Sequence, residues 1–220
     1  IAFAGMKFEE SDLKALAPKF ERAAREMARI EAGEIKNPDE HRKVTHFTDR
    51  RSYPESELFR SVQTFAEEVR SGRITGETGK KFDAVVVNGI GGSALGPQLM
   101  QFAINGPYWN EKSDAQRNGY LKIYFLDNTD SAEFADLLEV MDPERTLHLV
   151  ISKSGGTQET KNNMIAMENF YASKKLSFAR HAAAITMKES ELDRHARENN
   201  FLAIFEMAES IGGRTSETSI

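Results

Sequence analysis

From residue 81 onward, short apolar runs alternate with amphipathic stretches. The runs DAVVVNGI (Asp83–Ile90), KIYFL (Lys122–Leu126), LHLVI (Leu147–Ile151), AAAIT (Ala182–Thr186) and FLAIFE (Phe201–Glu206) have the length and apolarity of buried strands. Pro97–Ile104, Asp130–Met141, Thr157–Lys174 and Ser190–Asn199 read as the intervening helices. Asp130 and Glu133 are spaced as a capping box, and Ser190 is placed as a cap. This alternation predicts an α/β fold, a five-stranded parallel sheet between helices. Upstream the period changes. Leu13, Leu16, Phe20, Ala23, Ala24, Met27 and Ile30 form one stripe, predicting a helix over Ser11–Gly33 whose start Pro18 moves toward itself. Residues 38–53 are polar and without period, and a second helix is predicted from Pro54 to Gly72 with Leu58, Val62, Phe65 and Val69 on one face. The expected organisation is an N-terminal helical segment over residues 1–75 and an α/β domain over residues 76–220.

Sheets of this kind bind ligands at the carboxyl ends of their strands. Three Gly- and Ser-bearing segments are expected at that edge: Gly89–Gly96, read as a glycine-rich loop, Ser152–Thr157 and Gly212–Ser216. The second, inside LHLVISKSGGTQET, stands out. Ser152, Ser154 and Thr157 offer three hydroxyls, Gly155 and Gly156 allow close backbone approach, and a helix starts at once. Two readings stay open on these residues alone: a phosphate-monoester site, or a strand–helix turn in which Ser and Thr only cap. Lys153 either binds an anion or points to water, and Arg214, after two glycines, either holds an anion or is a surface arginine.

Composition narrows the choice. The 220 residues carry a net charge of −5 with dispersed Lys and Arg, against a nucleic-acid surface. The absence of cysteine excludes thiolate chemistry and a Cys-based zinc site, and suits the cytoplasm. No apolar stretch has the length of a membrane span, and Ile1–Asp12 does not read as a signal peptide. None of the five histidines has a ligand partner at useful spacing, so no metal is expected. Gly89-Ile90-Gly91-Gly92-Ser93 follows a strand as a dinucleotide fingerprint would, but Ala94 stands where the third glycine belongs, and no P-loop is present.

GIGGSALGPQ (Gly89–Gln98), SKSGGTQET (Ser152–Thr160) and IGGRTS (Ile211–Ser216) together resemble the glucose-6-phosphate isomerase (phosphoglucose isomerase) family in order and spacing. The resemblance implies a sugar-isomerase (SIS) domain and the cofactor-free interconversion of glucose 6-phosphate and fructose 6-phosphate, by a cytoplasmic homodimer. Carried over by motif, Ser152, Ser154 and Thr157 hold the phosphate with Ser93 beside them. Gly91, Gly92, Gly155, Gly156 and Thr160 belong to the same substrate-binding set, with Thr160 also helping to cap the helix. Lys153 and Arg214 are the catalytic-end residues, Arg214 facing the enediolate charge, and Glu159 supports them from behind. Gly156 departs from the family's usual hydroxyl residue, and Thr215 and Glu217 from the residues usual after the arginine. The family's proton-carrying glutamate and its ring-opening histidine and lysine are expected beyond residue 220. This stretch therefore reads as an N-terminal portion that binds without turning over. The alternatives are a non-catalytic sugar-phosphate-binding SIS module and, further off, a Rossmann-type nucleotide enzyme.

Overall fold

The computed structural model describes residues 9–38 and 41–212. The first helix, α1 (Glu10–Glu31), starts eight residues ahead of Pro18 and carries it through. The expected start near Pro18 is thus corrected. A capping box between Glu9 and Asp12 fixes the real beginning, and a proline within a helix costs one backbone hydrogen bond without ending it. The aperiodic stretch after it is not structureless. Two very short strands, β1 (Ile35–Asn37) and β2 (Arg42–Lys43), pair antiparallel, and α2 (His46–Ser52) follows. The next helix, α3 (Glu57–Ser71), begins three residues after Pro54, because the Ser56 hydroxyl accepts the Phe59 N–H at 3.1 Å and Tyr53–Glu55 forms a single 3-10 turn. Gly72 ends it in the left-handed conformation, φ +80°.

The remaining elements are β3 (Ala84–Asn88), α4 (Gly92–Asn105), β4 (Lys122–Leu126), α5 (Ser131–Val140), β5 (Thr146–Ile151), α6 (Gln158–Ser173), β6 (Ala182–Thr186), α7 (Glu191–Glu198) and β7 (Ala203–Glu206). The five strands β3–β7 form one parallel sheet in the order β4-β3-β5-β6-β7. The expected fold is therefore present, and β3 and β7 are shorter than the apolar runs that predicted them. The largest shift in the α/β part follows β3: Gly92–Gly96 is the first turn of α4, not loop, and only Gly89–Gly91 connects strand to helix. The capping box expected at α5 is half there. Asp130 accepts the Ala132 N–H, but its own N–H goes to Asn128 and not to Glu133.

One face of the sheet packs Val86, Val150, Ala182 and Ala184 against Leu137 of α5, Met164, Met167 and Tyr171 of α6, and Leu192 and Ala196 of α7. The other packs Val85 and Leu147 against Val69 and Phe65 of α3, with Phe65 edge-on to Phe205 at 5.3 Å. Strand order reverses after β4, so right-handed crossovers put α4 on this second face. The reversal makes the carboxyl ends of neighbouring β3 and β5 the topological switch point. At the amino end, His148 is fully buried, its Nε2 sharing a 3.0 Å hydrogen bond with the Tyr171 hydroxyl. Burial, with a smaller contribution from His181, pushes His148 down to about 3, so its ring is neutral in the folded chain.

Candidate functional site

The first two motif segments meet at the switch point. Asn88 and Val150 are register partners, and a Cβ on Gly89 would lie 2.8 Å from the Ser93 Cβ and 3.1 Å from the Ile151 carbonyl oxygen. Only glycine lets the start of α4 sit this close to the end of β5. Gly91 takes φ +57° and ψ −122°, a conformation closed to side-chain-bearing residues, and turns the chain into Gly92 and Ser93.

The Ser152–Thr157 loop is anchored along its length. Ser152 N–H donates to the Ile185 carbonyl at 3.2 Å, Met187 N–H to the Lys153 carbonyl at 3.1 Å, and Glu191 N–H to the Ser154 carbonyl at 3.2 Å. Gly155, at φ +75°, lies flat on α7, where a Cβ would come within 2.2 Å of the Leu192 nitrogen. Ser152 is buried. Its hydroxyl donates to the Thr157 hydroxyl at 3.2 Å and accepts the Gly155 N–H at 3.1 Å. The Ser154 hydroxyl, on the exposed side, accepts the Gly156 N–H at 3.2 Å. Thr157 occupies the cap position of α6 but makes no side-chain cap bond. The first turn of α6 therefore presents its N–H groups and positive dipole end beside three hydroxyls.

Lys153 is folded across the edge, with Nζ donating to the Glu209 carbonyl at 2.5 Å. Burial lowers its pKa from the ordinary lysine value. The Arg42 guanidinium lowers it further and Glu209 partly opposes them. Glu159 follows in the same turn, partly exposed. Thr160 is not a cap: it sits inside the first turn of α6, buried, with no hydrogen-bond partner for its hydroxyl. The cap role expected for it is corrected on that ground. A cavity of about 250 Å³ between α6 and α7 is lined by Ser152, Gly155 and Thr160, but not by Lys153, Ser154 or Thr157. It backs onto the loop from behind, while the hydroxyls of Ser154 and Thr157 belong to the open side. Arg214, Thr215 and Ser216 lie outside the described residues.

Three contributors are invisible in the sequence pattern. Asn88, buried at the end of β3, donates from Nδ2 to the Thr160 carbonyl at 3.1 Å, and Asn163 donates to the Asn128 carbonyl at 2.8 Å. These amides fix the first two turns of α6 to β3 and to the segment after β4. Arg42, from the stretch read as aperiodic, reaches the site edge: a Cβ on Gly212 would lie 2.0 Å from its Nη1. The only sequence signal for the first was an amide in an otherwise apolar strand, AVVVN. Among the described residues, no cluster of His, Asp or Glu could hold a metal, and no helix is long and apolar enough to cross a membrane.

The profile of the phosphoglucose isomerase family matches residues 9–220. Glucose-6-phosphate isomerases of Trichormus variabilis and Geobacter sulfurreducens are each 40% identical to this chain, over 97% of it and 41% of their own length. A glucose-6-phosphate isomerase from Chlamydia trachomatis superposes with a TM-score of 0.74 at 31% identity, again over 97% of this chain and 41% of that one. The sequence thus spans about two fifths of the length of the relatives it matches. A parallel sheet with this strand order, the loop closed down on α7 and a family match over nearly the whole sequence agree: this chain belongs to the phosphoglucose isomerase family.

Proposed function

We propose that this chain is the phosphate-holding portion of an aldose–ketose isomerase that interconverts glucose 6-phosphate and fructose 6-phosphate through an enediolate. The single observation that carries the reading is the uncapped start of α6, with Ser152, Ser154 and Thr157 gathered around it at the switch point. A phosphate dianion there would accept hydrogen bonds from backbone N–H groups and hydroxyls, each charge-assisted bond contributing about 1.5–3 kcal/mol. Ser93 would join from the start of α4, next to Gly91 and Gly92, and Gly156 would leave the backbone open to the phosphate. Lys153 and Arg214 would act at the reacting end of the sugar, where fixed positive charge stabilises the developing enediolate oxygen. Glu159 would support the loop. Isomerisation also needs a positioned proton carrier. Those groups would come from the part of the relatives that this sequence does not span. Residues 76–220 would form the sugar-isomerase domain, and residues 1–75 would cover it with α3 and supply Arg42. The homodimer and the cytoplasmic location implied by the resemblance belong to the same proposal.

Calorimetric titration of the chain with fructose 6-phosphate, with unphosphorylated fructose as control, tests the reading. Saturable binding of the phosphate ester alone is expected. Equal binding of both sugars would show that the loop is a structural turn, as would binding of neither that persists when the chain is continued by the remaining length of a relative.

A further inference from the structure

Helix α4 is built inside out. Its fourteen residues, GSALGPQLMQFAIN, include no Asp, Glu, Lys or Arg. The residues it buries are small or polar: Ala94, Gly96 and Gln101, the last accepting the Asn105 side-chain amide at 2.6 Å. The large apolar side chains are turned away from the sheet. Leu95, Leu99, Met100, Phe102 and Ile104 are 52–70% exposed. Leu95, Leu99 and Phe102 form one helical stripe, while Met100 and Ile104 lie about 140–180° round the helix from Leu95. Single exposed leucines on a surface are ordinary, but five large apolar side chains on one uncharged helix mark a covered face.

Charge and position indicate what covers it. Interfaces that exchange partners keep a polar rim, whereas permanent ones resemble a divided core. The contrast is α1, which also exposes Leu13, Phe20 and Met27, but between ion pairs such as Lys14–Glu10 and Arg25–Glu21. α4 has no such rim. It lies on the sheet face that carries two helices, α3 and α4, against three on the other. The relatives carry, beyond the 41% of their length that this sequence matches, a larger mass of polypeptide than this chain. We infer that the outward face of α4 is the docking surface for the part of the complete polypeptide that the relatives carry beyond the matched length. This rests on family membership and not on the sugar-phosphate reading.

The chain has no cysteine, which makes a single introduced thiol a clean probe. Leu99→Cys would be prepared in this 220-residue chain and in the same chain continued by the remaining length of the Trichormus variabilis relative, with that length's cysteines changed to serine. Maleimide should label the thiol freely in the shorter chain and roughly tenfold or more slowly in the continued one, because access controls thiol reactivity. Glu21→Cys on the exposed side of α1 should react alike in both. Phe102→Cys, on the same stripe, gives a second reading should Leu99→Cys itself disturb the contact. Equal rates at both α4 positions in the two chains would overturn the inference. So would protection that appears in the shorter chain as its concentration rises, or that is lost from the continued chain on dilution. Either would assign the face to a second copy.

Discussion

The starts of α6 and α7 touch at the carboxyl edge of the sheet, where the Glu191 N–H meets the Ser154 carbonyl, yet one is closed and the other open. At α7, the buried Ser190 hydroxyl accepts the Asp193 N–H at 3.0 Å and bonds the Thr186 hydroxyl at 2.7 Å. At α6, the Thr157 hydroxyl turns aside to Ser152 and leaves the helix start without a side-chain cap. α5 is closed as α7 is, by Asp130, while α4, entered through Gly91, has no side chain to close it. The helices leaving β3 and β5, on either side of the switch point, are the open ones. The same residue types thus close one helix start and leave its neighbour without a side-chain cap, the start proposed above to hold the phosphate. What decides between the two uses is where the preceding loop directs the hydroxyl.

The contrast can be broken most forcefully at Gly155. A methyl group there meets backbone of α7 and requires a side chain at φ +75°, so Gly155→Ala should lower stability by about 3 kcal/mol or more. Urea denaturation measures it, and a loss below about 0.5 kcal/mol would mean that the loop is not seated on α7. Acid should weaken the fold that carries both helix starts, because His148 is buried and neutral within β5. The folded pKa is depressed, so the stabilisation is complete above the unfolded value of 6.5 and is lost as pH falls from there toward about 3. The slope should approach about 1.4 kcal/mol per pH unit for this group, giving a loss of about 2 kcal/mol by pH 5. Urea curves between pH 7 and 4.5 should show it, and His148→Gln should flatten the slope.

Exchanging the roles of the two caps is the next test. Ser190→Ala should destabilise the fold by about 1–2 kcal/mol and leave fructose 6-phosphate affinity unchanged. Thr157→Ala should do the reverse, with little change in stability and a loss of about 1 kcal/mol in affinity by calorimetry. If both variants only unfold, α6 is an ordinary capped helix. The smallest effect belongs to Gly156→Ser. A Cβ there has 3.7 Å to the Ser154 hydroxyl, so stability should change by less than about 0.5 kcal/mol. Affinity for the sugar phosphate should hold or rise.

Local pattern carried most of the fold. The bounds of β4 and β6 follow from apolar runs bordered by polar turns, and Ser190 and Asp130 act as the caps that their positions imply. It failed where glycine has two meanings. GGSALGP reads as loop because glycine is a poor helix residue, yet here Gly91 supplies the turn and Gly92 already opens α4. It failed again at β1 and β2, since strands of three and two residues have no period to detect. Of the site, the hydroxyl loop was legible because its chemistry is contiguous. Asn88, Asn163 and Arg42 were not: each acts on residues far along the chain, Asn88 on a carbonyl 72 positions away. Their contribution exists only once the sheet has formed.

Asn88 also sets a chemical clock. It precedes Gly89, the pairing in which an asparagine side chain is most readily attacked by the next backbone nitrogen, losing ammonia to give aspartate or its iso form. In the folded chain that reaction is restrained, because Nδ2 is held by the Thr160 carbonyl and the residue is only 2% exposed. Each unfolding event releases it. A carboxylate formed there would face the carbonyl that the amide once satisfied, in a place with almost no water, and the chain could not return to the same sheet edge. The tie that positions α6 therefore makes damage cumulative and silent. At Asn88 the chain ages chiefly while unfolded, and any ligand that favours the folded state slows that loss.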